Sequence, residues 1–201
     1  MFHFVYKCKR GGIMKDWISY LSNLYKTNDG VQRYLQVQQL ISEESNKKDS
    51  KGLSLVMAAC VLNDPYTIDM VIHQGVSLDS RDNDGRTVLH YATNICEYEN
   101  TGGSLLKLVL DAILECGVDV NSRDNAGWTA LHLACMKGNK QAAIRLLECG
   151  ALPNNSEELT HAGVSWTPLS LAKAYGHIEI KDILIQHGAK VDKPTLNIVA
   201  L

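Results

Sequence analysis

The feature that most constrains this chain is one residue pattern that occurs four times. Its best copy begins at Gly127 and reads Gly-Trp-Thr-Ala-Leu-His-Leu-Ala. Similar copies begin at Gly85 and Ser165, and a weaker copy begins at Gly52. Each copy is followed by an apolar run that ends in a glycine, at Gly75, Gly117, Gly150 and Gly188. Self-similarity at a nearly fixed period indicates a repeat architecture, in which each repeat is one small supersecondary unit.

The spacing of the apolar anchor in each copy supports this division. Val56 and Leu89 are 33 residues apart, whereas the next two intervals, to Leu131 and to Leu169, are 42 and 38 residues. The longer intervals are explained by two insertions, one around 94–104 between two predicted helices and one at 156–160 in a predicted connection after the second helix of the third copy. Insertions of this kind are tolerated in surface connections.

These motifs resemble the ankyrin repeat family, and the resemblance covers about residues 49–193. It implies an all-α fold: a solenoid of stacked helix-turn-helix units with projecting β-hairpin fingers. One such unit buries too little apolar surface to fold alone, so its stability comes from stacking against its neighbours. We expect four repeats, at 49–81, 82–123, 124–161 and 162–193.

The segment before the first repeat predicts an N-terminal capping helix pair, or a degenerate repeat, over 15–48. Residues 15–27 have the apolar spacing of an amphipathic helix, at Trp17, Ile18, Leu21, Leu24 and Tyr25. Residues 31–42 are expected to form a second helix with one apolar face, formed by Val31, Tyr34, Leu35 and Ile41. The polar run 42–51 is expected to be a linker.

The two ends of the chain are expected to be tails. Residues 1–14 lack the basic-then-apolar order of a signal peptide, and Met14 is an alternative start. Residues 194–201 follow the last repeat and begin with Pro194, which disfavours a helix there.

Composition describes an ordinary soluble chain. The 201 residues are 45% hydrophobic and 21% charged, with a formal net charge of −2. This balance gives no electrostatic footprint for nucleic acid or for an anionic membrane. The six cysteines include no Cys-x-x-Cys pair. We therefore expect a monomeric cytoplasmic or nuclear protein with reduced thiols, which binds neither nucleic acid nor membrane.

The histidines do not predict a catalytic or metal site. The resemblance implies structural roles for His90 and His132, which occupy the Thr-x-Leu-His position, and for His177, which follows a glycine. Cys149 and His187 are two candidate zinc ligands, whereas a zinc site requires about four. We expect no metal, no cofactor and no enzyme activity.

The resemblance instead implies a partner protein or peptide on the concave face, lined by the fingers and first helices. In the family, the variable contact positions include the residue before the threonine and the pair before the inter-helix glycine. On this chain the candidate positions are Leu53, Arg86, Trp128, Met136, Lys137, Trp166 and Tyr175. The two tryptophans are interpreted either as binding anchors or as covers for the neighbouring finger.

The sequence predicts an adaptor or scaffold, and two alternatives remain. One is a regulatory inhibitor or targeting subunit of an enzyme. The other is a reader of histone tails or other basic peptides, which requires acidic residues to converge on the groove, from Asp82, Asp84, Glu157 and Glu158. Arg86 and Lys137 argue against the basic-peptide reader. Asn121 also resembles the finger asparagine that some family members present to a hydroxylase.

Overall fold

The computed structural model describes residues 16–26, 30–44, 47–93, 104–154 and 166–191. These ranges are built from helices joined by turns: α1 Trp17–Tyr25, α2 Gly30–Glu44, α3 Leu55–Val61, α4 Pro65–His73, α5 Val88–Ala92, α6 Ser104–Glu115, α7 Ala130–Lys137, α8 Lys140–Glu148, α9 Pro168–Ala174 and α10 Ile178–Gln186. The prediction of an all-α repeat fold is confirmed. Within the described ranges, no helix is long and apolar enough to cross a membrane.

The chain divides into two compact units, Met1–Asp119 and Val120–Leu201. In the first unit, α3 packs against α1, α4 and α5, while α4 packs against α2 and α6. In the second unit, α7 packs against α8 and α9, and α10 packs against α8 and α9. Within each unit, the matching helices of neighbouring pairs therefore contact each other, and the pairs α3–α4, α5–α6, α7–α8 and α9–α10 are each in internal contact.

Threonine caps begin the first helix of each pair in the second unit. The Thr129 hydroxyl accepts the backbone N–H of His132, and His132 Nδ1 in turn accepts the Thr129 N–H at 3.2 Å. Thr167 and Ser170 make the same reciprocal pair of bonds. These capping boxes satisfy backbone donors that would otherwise be unpaired at the helix start, which confirms the predicted role of Thr129.

Small residues let the first helices approach their neighbours closely. Four alanines that are equivalent in the four copies are fully buried, at Ala59, Ala92, Ala134 and Ala172. The second helices contribute larger aliphatic residues, and Ala143, Leu146 and Leu147 form the predicted buried face of α8. Close packing of this kind is sensitive to the loss or gain of single methylene groups.

One turn is built three times around an aspartate carboxylate. Asp124 Oδ1 accepts the backbone N–H groups of Ala126 and Trp128, at 2.9 and 2.8 Å. Asp82 binds the N–H groups two and four residues later in the same way, and so does Asp49. Over the described residues these turns, with one isolated bridge between Arg123 and Thr129, stand where hairpin fingers were predicted.

The predicted apolar face of α2 is wrong except at Ile41. The helix buries Val37, Leu40 and Ile41, whereas Val31, Tyr34 and Leu35 are exposed. The two triads have the same internal spacing but start six residues apart, which rotates one from the other by about 240°. The side that packs against α4 is therefore not the side on which the sequence pattern begins.

The predicted linker 42–51 is also only partly correct. Its first residues complete α2, and its last residues form the buried Asp49 turn. Asp49 Oδ2 also accepts the backbone N–H of Trp17 at 3.3 Å, so this turn fixes the start of α1. The predicted tails 1–14 and 194–201 and the insertions at 94–104 and 156–160 lie outside the described residues, apart from Ser104, which begins α6.

Replacing Asp49 with alanine should destabilise the first unit by about 3 kcal/mol, because three N–H groups, two of them buried, lose a charged acceptor. Urea unfolding followed by circular dichroism would measure this change. Asp49→Asn retains one acceptor oxygen and should be affected less. Asp79→Ala removes an exposed carboxylate and should change stability by less than about 0.5 kcal/mol. Equal effects of the two alanine variants would contradict the assigned role.

The four cysteines within the described ranges should react with thiol reagents in two groups. Burial raises the pKa of the Cys60 and Cys135 thiols to about 12, so they remain protonated and inaccessible near neutral pH. Cys116 is exposed and Cys149 is half-buried. Peptide mass spectrometry after brief iodoacetamide treatment should show Cys116 and Cys149 modified before Cys60 and Cys135. The same treatment in urea should abolish the difference, and early labelling of Cys135 in the native protein would contradict it.

Candidate partner-binding site

Trp128 projects from a backbone that is fixed on both sides. Its N–H donates to Asp124 Oδ1, and its carbonyl oxygen accepts the Asp124 N–H at 2.9 Å. The next residue is Thr129, the cap of α7. The side chain of Trp128 is half-buried, so part of its indole surface is open to solvent.

The indole of Trp128 lies against an imidazole that is itself locked. The ring centroids of Trp128 and His132 are 6.0 Å apart, with the planes inclined at 56°. His132 is almost fully buried, and its Nδ1 lies 2.8 Å from the Thr129 hydroxyl and also accepts the Thr129 N–H. Because Nδ1 is an acceptor, the histidine side chain is in its neutral form with the proton on Nε2. The structural role predicted for His132 is confirmed by these bonds.

Tyr175 is supported by a second imidazole in the same unit. Its side chain is 57% exposed, and its ring stacks on His177 with a centroid distance of 6.4 Å and an interplanar angle of 6°. His177 Nε2 donates to the carbonyl oxygen of Met136 at 3.3 Å. The imidazole also lies directly over Gly138, where a Cβ atom would come within 2.5 Å of His177 Cε1. The end of α7 thus positions the His177 ring, on which the Tyr175 ring stacks.

The other predicted contacts in the second unit follow from its helix pairing. Trp166 precedes the cap of α9 as Trp128 precedes that of α7, and it is half-buried. Met136 and Lys137 end α7, where Met136 is half-buried and Lys137 is exposed. Since α7 packs against α9, the second unit has five of the seven predicted contact residues on two adjacent helices and the residues that flank them.

Leu53 does not belong to an exposed surface, and its prediction as a contact is wrong. Its side chain is only 4% exposed. The turn that contains it is held against the start of α1 through Asp49 and Trp17. The weak first copy of the motif therefore uses this position for the core.

Arg86 lies in the first unit and is engaged by its own turn. Its guanidinium is 3.0 Å from the Asp84 carboxylate. Tyr91 donates its hydroxyl to Asp82, and burial followed by this hydrogen bond raises the pKa of Tyr91 to about 12. The acidic residues of this turn are therefore used locally.

The finger asparagines have structural roles. Asn121 Nδ2 donates to the Gly150 carbonyl oxygen at 3.2 Å, and its Oδ1 accepts the Leu152 N–H at 2.9 Å. Asn154 makes the same pair of bonds to Gly188 and Lys190, 33 residues further along. Each side-chain amide thereby connects one loop to the next.

The described histidines contact local groups. His73 and His187 each place Nδ1 near the carbonyl oxygen four residues earlier, at 3.0 and 2.9 Å. Among the described residues, no cluster of three or more His, Cys, Asp or Glu side chains has the arrangement of a metal site. The repeat pattern did not reveal that His132 and His177 lie beside the rings of Trp128 and Tyr175; the signal in the sequence is their distance of four and two residues from those aromatic residues.

The contact between His177 and Gly138 can be isolated with two alanine substitutions. Gly138 and Gly176 have the same backbone geometry, with φ of 76° and 77°, but a Cβ at Gly176 meets nothing within 4 Å. Gly176→Ala should destabilise the protein by about 1 kcal/mol through left-handed strain alone. Gly138→Ala should cost about 2–3 kcal/mol because it also displaces the imidazole. Urea unfolding measures both effects, and equal losses would contradict the packing role of His177.

Comparison with known proteins agrees with this architecture. A family model described as ankyrin repeats (3 copies) matches residues 98–195, from within the second predicted repeat to the end of the fourth. No curated protein gives a significant match to the chain. Ankyrin repeats are protein interaction modules. Over residues 98–195, just under half of its length, the chain contains ankyrin repeats.

Proposed function

We propose that the chain is an adaptor that binds a protein or peptide noncovalently through the second unit. The contact surface, here called the aromatic surface, is formed by Trp128, Met136, Lys137, Trp166 and Tyr175. The main observation in support of this proposal is that the rings of Trp128 and Tyr175 each lie beside an imidazole that is held by hydrogen bonds. An exposed aromatic side chain with a dedicated support is suited to be a binding anchor.

The support matters because binding has to offset the entropy of ordering side chains. A flexible side chain loses about 0.5–1.5 kcal/mol of free energy when it is immobilised at an interface. The rings of Trp128 and Tyr175 are already restricted by His132 and His177, so less conformational freedom remains to be lost. Tryptophan and tyrosine also dominate interface energetics because each desolvates a large area.

The charge of α7 and α9, the first helices of the two pairs in the second unit, favours a neutral or acidic partner segment. Helices α7 and α9 contain two lysines, Lys137 and Lys173, and no carboxylate. The alternative of a basic-peptide reader is less well supported, because Asp82 binds its own turn and Asp84 pairs with Arg86. Glu157 and Glu158 lie outside the described residues. The alternative of an enzyme inhibitor would use the same surface and has no separate observation in its favour.

The same proposal includes the division into four repeats and a noncatalytic mechanism in the cytoplasm or nucleus. The four helix pairs α3–α4, α5–α6, α7–α8 and α9–α10 support the division. The local hydrogen bonds of the described histidines support a structural use of these residues.

Removing both tryptophans should abolish specific partner binding. In a pull-down from cell lysate, Trp128→Ala with Trp166→Ala should lose the proteins retained by the native chain, because the two largest contact surfaces are removed. His177→Ala should weaken retention without touching a contact residue, since Tyr175 loses its support. Candidate partners identified by mass spectrometry should be confirmed by titration with purified protein.

The matched control is Ile178→Ala, which removes an exposed apolar side chain from α10 of the same unit. It should retain the same partners, and all variants should keep the helical circular dichroism of the native chain. Unchanged partners in the double tryptophan variant would rule out the aromatic surface. Binding that strengthens for basic peptides and disappears with salt would instead favour the basic-peptide reader.

A further inference from the structure

Three second helices of the first unit expose a large apolar side chain at the same register position. Leu35 of α2, Tyr66 of α4 and Leu108 of α6 are 50, 72 and 62% exposed. Each lies two residues before one buried aliphatic residue and five before another: Val37 and Leu40, Ile68 and Val71, and Leu110 and Ile113. The three exposed side chains are therefore structurally equivalent, and we call them the outer row.

The order of the helices places the outer row on one line. Helix α4 packs against α2 on one side and against α6 on the other. Packed helices lie about 8–10 Å apart, so the row extends over roughly 20 Å with Tyr66 at its centre. Val31 and Tyr34 extend the apolar area beside Leu35. Contiguous exposed apolar area of this kind marks interaction surfaces.

The equivalent position is polar in the second unit. Gln141 of α8 precedes Ala143 and Leu146 by two and five residues, and Glu179 occupies the same place in α10. Both side chains are exposed. The fold therefore accepts a polar residue at this position, and packing does not require the apolar residues of the outer row.

Carboxylates accompany the outer row. Asp69 and Asp111 each follow the row residue of their helix by three positions, which places them one turn further on the same side. The sequences of α4 and α6 contain three carboxylates, with Glu115 as the third, and one lysine, Lys107, so acidic groups outnumber basic ones there. His73 lies 3.1 Å from Asp69 and can carry positive charge only when protonated. An apolar row beside acidic groups is complementary to an apolar stripe beside basic groups.

We propose that the outer row is a second docking surface and that it binds a basic amphipathic helix of a partner protein. Neighbouring row positions are separated by about 10 Å, which corresponds to about seven residues or two turns of α-helix. A helix laid across α2, α4 and α6 therefore presents apolar residues at every seventh position to Leu35, Tyr66 and Leu108. Lysine or arginine residues beside that stripe meet Asp69 and Asp111. This surface is separate from the aromatic surface and does not depend on the function proposed for it.

The test uses an end-blocked, fluorescein-labelled peptide of 18 residues, designed to this spacing with about two turns between contacts. It carries leucines at its second, ninth and sixteenth positions, lysines three residues after the first two leucines, and alanine or glutamine elsewhere. Fluorescence anisotropy with the full chain should show saturable binding. The double variant Tyr66→Gln with Leu108→Gln should bind at least tenfold more weakly, since it carries the polar side chain that the second unit has at this position. Asp69→Asn with Asp111→Asn should lower both the affinity and its dependence on salt.

The controls distinguish binding at the outer row from nonspecific hydrophobic binding and from self-association. Ile178→Gln removes a similarly exposed apolar residue in the other unit and should leave binding unchanged. A peptide with its leucines moved to different faces, and one with glutamate in place of lysine, should each bind at least tenfold more weakly. The proposal is overturned if no saturable binding occurs, if the control peptides bind equally well, or if Ile178→Gln has the same effect as the row variant. Sedimentation that shows a dimer lost in the row variant would assign the row to a second copy of the chain instead.

Discussion

Hydrogen bonds from an aspartate carboxylate to the turn that follows it determine how the first helices of three repeats, α3, α5 and α7, begin. In Asp49, Asp82 and Asp124 the Oδ1 atom accepts N–H groups two and four residues later, and the fourth residue directly precedes the cap of a first helix. The backbone of that residue is thus held at the start of the helix by a charge-assisted bond. Its side chain is left to vary: Leu53 enters the core, Arg86 pairs with Asp84, and Trp128 is half open to solvent. One rigid turn therefore produces three different surfaces, and the difference lies entirely in the side chain that it presents.

Imidazoles serve both the fold and the aromatic surface. His132 completes the capping box of α7, and the same ring lies beside Trp128. His177 connects α7 to the start of α10 through Met136 and Gly138, and the same ring carries Tyr175. The hydrogen bonds that fix these histidines also connect parts of the helices. The aromatic rings are therefore supported by side chains that already belong to the fold. Stability and preorganisation are coupled here, so that a substitution which loosens the fold at His177 also loosens a binding residue.

The repeats, their helix starts and their glycine ends could be predicted because each is set by a local rule that the sequence repeats. Thr129 caps α7 and Gly138 adopts a left-handed conformation for reasons that operate within a few residues, and Ala134 is buried at a position that recurs in every copy. The predictions failed where the outcome depends on a neighbour distant in sequence. The buried face of α2 is set by α4, and Leu53 is covered because Asp49 binds Trp17, 32 residues earlier. No periodicity within a single helix contains that information. The support of Tyr175 by His177 was missed for a similar reason, since it depends on Met136, which lies 41 residues away.

Equivalent positions in a repeat protein act as internal controls, and this separates residues that the fold needs from residues that it merely permits. Ala59, Ala92, Ala134 and Ala172 are buried in all four copies, so packing accounts for them. The outer-row position differs: the same place holds leucine, tyrosine, glutamine or glutamate, and its side chain is exposed in every case. Packing cannot favour Tyr66 over Gln141 where neither side chain is enclosed, while an exposed apolar residue lowers solubility. The physical advantage of an apolar side chain at such a place arises only when another surface covers it. The same reasoning applies to Trp128, which is half-buried at the repeat position where Leu53 is buried. Function in this chain is therefore to be sought where equivalent positions diverge while the backbone around them remains the same.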